Sequence, residues 1–101
     1  MDLKRMRVLF HILEHMNEGN YTNTAMPDIV RSFIDTGSNC FVITSDPRID
    51  GLYLSNKLVA CALISRHLEG SGFVVIIEPL YQGSTIVLHA TIVERNEYEN
   101  L

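Results

Sequence analysis

The chain has 101 residues, 47% of them hydrophobic and 20% charged, with a formal net charge of −4. This balance excludes a disordered polymer and a polybasic nucleic-acid arm. The length suits one domain over residues 1–101, which buries roughly 65% of its unfolded surface without a metal or disulfide staple.

Residues 3–18 have the pattern of a helix. Met6, Leu9, Phe10, Leu13 and Met16 recur at helical spacing, Asp2 is placed to cap the start, and Gly19 to stop the run. On a wheel this stripe is expected to face the core, which leaves His11, His15, Lys4 and Glu18 on the outer side. Residues 20–26 are a polar connection. Pro27 can open a second short helix, capped by Thr24 or a neighbour, with Ile29, Val30, Phe33 and Ile34 as its apolar face. Residues 36–39, TGSN, end it.

Residues 41–44, FVIT, are β-branched and aromatic and predict a short strand. Residues 45–51 predict a loop, with Asp46-Pro47 and Asp50-Gly51 as turn dipeptides, and 52–54 a short extended piece. Ser55 is the expected cap of a third helix over 56–69, ended by Gly70 and Gly72. A buried-type strand over 72–79 closes at Pro79, a glycine-containing loop spans 80–84, and 84–93 return as a strand. The remaining residues are a polar tail or a single helical turn.

Cys40 and Cys61 lie among apolar neighbours, and no C-x-x-C pair occurs. Both are expected as buried thiols in a reducing compartment. Residues 8–13 include a histidine and run directly into charge, unlike a secretory leader. No apolar run reaches membrane-span length, so a cytoplasmic location without a membrane partner is expected.

Residues 11–15, HILEH, spell the zinc-peptidase signature in inverted order. A zinc site needs at least one further ligand. Glu69, Glu78 and Glu94 are available, but no spacing singles one out. With the imidazoles expected outside, His11 and His15 are solvated side chains that chelate metal adventitiously at most, and no cofactor is expected. His67 falls near the end of the third helix, where an imidazolium suits the dipole, and His89 falls on the solvent side of a strand. No G-x-S-x-G occurs, and EGSG lacks the lysine and spacing of a phosphate loop.

The run LVACALISRHLEGSGFVVIIEP resembles winged helix-turn-helix domains, in which a helix passes through leucine and glycine into two wing strands. More narrowly it resembles small winged-helix proteins of unknown function from phages and prophages. The matching residues are Val8, Leu9, Ile12, Leu13, Glu14 and His15, then Ile64, Leu68, Gly72, Phe73 and Val74. The resemblance implies an α+β, winged-helix-like fold of two to three helices with a C-terminal β-hairpin and one short extra strand. The chain departs from a tight helix-turn-helix, because a long segment containing FVIT separates its second and third helices.

A DNA-reading version of this fold would use Lys57, Arg66 and the wing tip at Tyr81, Gln82, Gly83 and Ser84, with Lys4, Arg5 and Arg7 on backbone phosphate. Against it stand the acidic total and the apolar residues around the third helix: Leu58, Val59, Cys61, Leu63, Ile64 and Leu68. The expected function is therefore a small non-enzymatic regulatory or interaction module. It would bind a protein partner or form a homodimer, for which FVVII and TIVLHATIV offer strand edges. The alternative is a winged-helix DNA-binding transcriptional regulator, and a more remote one is a zinc-dependent hydrolase using HILEH.

Overall fold

A computed structural model of the chain describes residues 2–18, 25–50 and 53–99. The first helix, α1 (Leu3–Asn17), starts where expected: the Asp2 carboxylate accepts the Arg5 amide at 2.8 Å. Its expected stop, Gly19, and the connection over 20–24 lie outside the described residues, as does Thr24. The second helix, α2 (Met26–Thr36), carries Pro27 in its first turn, and Ala25 at its N-cap makes no side-chain capping bond. It ends at Gly37, whose φ of 70° lies in the left-handed region that favours glycine. Strand β1 (Cys40–Ser45) follows.

Gly51 and Leu52 lie outside the described residues; over the rest of the span, the expected loop over 45–51 and extended piece over 52–54 are corrected. A short helix, α3 (Pro47–Asp50), forms there, and the long helix α4 (Tyr53–Gly70) begins at Tyr53. Asp-Pro is a helix start as readily as a turn. Asp46 Oδ1 accepts the Arg48 amide at 2.9 Å, and its carbonyl accepts the Ile49 amide at 2.9 Å. The side-chain and backbone bonds from Arg48 hold the Asp46 carboxyl at about 2. Ser55 consequently lies inside α4 and does not cap it.

Strands β2 (Phe73–Gln82) and β3 (Thr85–Glu94) pair antiparallel from Phe73↔Glu94 to Gln82↔Thr85. The expected loop over 80–84 shrinks to Gly83-Ser84, with Gly83 at φ 62°. Pro79 does not close β2. The sheet order is β1-β3-β2, so β2 is an edge strand, where a missing N–H disrupts no central ladder. A short helix, α5 (Arg95–Glu99), ends the described chain.

The sheet buries the face that carries Phe41, Ile43, Phe73, Ala90 and Ile92 and exposes the one that carries Thr44, Glu78 and His89. Helix α2 packs against β1 and α4 against β2, while α1 packs on both α4 and α2. Val8, Ile12, Phe33, Ile64 and Leu68 complete the core. Cys40 and Cys61 are buried free thiols, as expected, and burial pushes the Cys61 thiol up. No helix among the described residues is long and apolar enough to cross a membrane.

Candidate functional site

Helix α1 carries two apolar stripes. Taking about 100° per residue, Leu3, Met6, Phe10 and Leu13 fall within about 80° of one another, and Arg5, Val8, Ile12 and His15 span a similar arc on the opposite side. The second set is the buried one. Leu3, Met6, Phe10 and Leu13 remain 73%, 52%, 61% and 40% exposed. This corrects the expected orientation of α1 in part: of the expected core stripe, Leu9 and Met16 pack against the core, Met6, Phe10 and Leu13 face outward, and the imidazoles turn inward.

Arg5 accounts for much of the rotation. Its guanidinium lies 4.3 Å above the Phe33 ring and donates to the carbonyls of Phe33 (2.7 Å), Ile34 (3.2 Å) and Ser38. The Phe33 and Ile34 carbonyls belong to the last turn of α2, where helices leave acceptors unsatisfied and cations are favoured. The side chain that anchors α1 is therefore polar, and it turns Val8, Ile12 and His15 inward with it.

The rotation brings HILEH against α4. His15 is only 6% exposed, and its ring centroid lies 5.0 Å from that of His67. The His11 ring stands 6.2 Å from His67 and 6.0 Å from Phe73. Glu14 Oε1 lies 3.5 Å from His11 Nδ1 and 3.2 Å from His67 Nε2. Both nitrogens are fully buried and make no hydrogen bond among the described residues. One donor atom each from His11, Glu14 and His67 fall within 4.8 Å of one another, and a second group, His15, Glu18 and His67, shares the same imidazole. Burial holds the His15 imidazole below its ordinary value, His67 pushes it the same way and Glu18 opposes them. None of Glu69, Glu78 and Glu94 belongs to either group. The further ligand type is supplied by His67, which sequence spacing alone did not connect to α1.

The residues expected to meet DNA are dispersed. Arg5 is buried and cannot reach phosphate, which corrects that expectation. Lys4 Nζ pairs with Glu97 at 2.8 Å, and Arg7 pairs with Glu94 at 2.6 Å while lying over Phe73. Lys57 Nζ donates to the Thr44 carbonyl at 2.9 Å. Arg66, Tyr81, Gln82 and Ser84 are exposed. The basic N-terminal knot thus ties α1 to β3 and α5.

The free edge of β1 is occupied. The Val42 amide donates to Ser32 Oγ at 2.8 Å, Thr36 Oγ1 donates to the Cys40 carbonyl at 2.9 Å, and the Thr44 carbonyl takes Lys57. Pro79 interrupts donors on the other edge strand. Comparison with protein-family models, curated proteins and solved structures found no match.

Proposed function

We propose that the protein is a non-enzymatic interaction module of winged-helix-like form that self-associates through α1. The form is supported by the run β1–α3–α4–β2–β3 and by the antiparallel order β1-β3-β2, which places a helix pair before a long hairpin. The observation that carries the function is the exposed ridge of Leu3, Met6, Phe10 and Leu13. Its 3-4-3 spacing is the a-d-a-d spacing by which one helix seats knobs into another. A second copy of α1 presents the same spacing, so a two-fold pairing is self-complementary. Since side chains engage the β1 edge and Pro79 breaks the run of donors on β2, helix pairing is a better route to a dimer than strand addition.

DNA-binding regulation is the second reading. It retains exposed Arg66 and the hairpin tip at Tyr81, Gln82 and Ser84. It loses the N-terminal basic residues, and Leu58 and Val59 are exposed on the helix that would read bases. Sedimentation of the full chain, paired with a low-salt gel shift, separates the two. The expected result is a dimer that Phe10→Asp converts to monomer, with no DNA retardation. A monomeric wild-type chain that retards DNA, with retardation lost in Arg66→Ala, sinks the proposal.

A further inference from the structure

We infer that His11, Glu14 and His67 form a binding site for a divalent transition-metal ion of the zinc class, which clips α1 to α4. This site goes beyond the interaction reading and does not depend on it. Zinc bound to imidazole nitrogen and carboxylate oxygen sits about 2.0–2.1 Å from each, so tetrahedral donors stand roughly 3.4 Å apart. The two edges that meet at Glu14 Oε1 measure 3.5 and 3.2 Å, and the third is no longer than 4.8 Å. Little movement is needed to bring three donors around one centre.

The donor chemistry points to the same class of ion. Two imidazoles with one carboxylate suit zinc and its transition-metal neighbours, whereas calcium and magnesium favour sets made of oxygen. His11 Nδ1 and His67 Nε2 are buried nitrogens without hydrogen bonds among the described residues, and a buried polar atom in that state is costly. A coordinated cation satisfies both and neutralises the carboxylate placed between them. Glu14 is the most exposed of the three side chains, which leaves the ion a path from solvent.

The site differs from simple chelation by the i,i+4 pair His11 and His15, because it requires His67 from another helix. The test is titration of the full chain, freed of any purification tag, with zinc chloride by calorimetry and with cobalt chloride by visible absorption. The expected wild-type result is one ion per chain, low-coordinate cobalt bands, and a midpoint of thermal unfolding raised by roughly 10 °C at a hundredfold excess over Kd. His67→Ala and Glu14→Gln should each weaken binding by more than the about 10–100-fold that loss of a group merely supporting a ligand costs. His89→Ala, on the exposed sheet face, should leave it unchanged. Glu14→Gln preserves size at a partly exposed position, so it reports even if His67→Ala fails to fold. Wild-type affinity retained in both folded variants, or in Glu14→Gln alone where His67→Ala does not fold, would leave only the helical pair and overturn the site. So would a wild-type chain that takes up no zinc.

Discussion

A buried guanidinium against carbonyl groups can only be an arginine's work: a lysine ammonium is a point donor, and Arg5 reaches the carbonyls of Phe33, Ile34 and Ser38 with one planar fork. Removing it takes the charged donor from these carbonyls, which keep the Thr36 hydroxyl and the Gly37 and Cys40 amides, and takes the cation from above the Phe33 ring. Arg5→Met is therefore expected to lower unfolding free energy by about 3 kcal/mol, read from urea denaturation. Arg5→Lys should recover less than half of that. Arg66→Met, at an exposed position, should stay within about 0.5 kcal/mol of wild type. Equal effects at Arg5 and Arg66 would contradict the buried role. The wheel places Arg5 beside Val8 and Ile12, apart from Arg7, but residue type alone gives no reason to bury it, since a basic cluster on an amphipathic helix ordinarily faces solvent.

At the scale of elements, legibility depended on how many faces a segment offered. Helix α2 and strand β1 each carry one dominant signal, and both form close to where the pattern places them. Helix α1 was legible as a helix but not as an oriented one. Its larger apolar stripe is interrupted by no charge, while the buried face contains Arg5 and His15. Periodicity weighs side chains by polarity and cannot register that an arginine has carbonyls to reach. The same limit hid the metal cluster, whose His67 is brought to HILEH only by the packing of α1 on α4. The hairpin was legible in its strands and misjudged in its turn, because Gly83-Ser84 alone suffices to reverse the chain. The orientation of α1 has a direct test. Ile12→Ala, on the buried stripe, should cost about 2–5 kcal/mol, and Phe10→Ala, on the exposed ridge, less than about 1 kcal/mol at concentrations where the chain is monomeric. The reverse ranking in denaturant melts would show that the larger stripe is the buried one.

For the whole molecule, net charge sets the sign of the salt response. Each chain carries −4, so two copies approaching each other repel, while the ridge of Leu3, Met6, Phe10 and Leu13 contributes no charge to their contact. Raising ionic strength screens that repulsion and leaves apolar burial intact, with a Debye length falling from about 30 Å at 0.01 M to about 10 Å at 0.1 M. Self-association through α1 should therefore tighten between these two conditions. DNA binding responds oppositely, because it releases condensed counterions and weakens steeply as salt rises. Lys4 and Arg7 are paired with Glu97 and Glu94, so the local positive field needed to reverse this expectation is largely cancelled within the fold. Sedimentation equilibrium at the two salt concentrations reads the sign directly. A dimer constant that strengthens with salt in the wild-type chain, and no dimer in Phe10→Asp at either concentration, is the outcome the ridge requires. A dimer that dissociates as salt is added would instead place ion pairs at the interface and exclude the uncharged face of α1 as its basis.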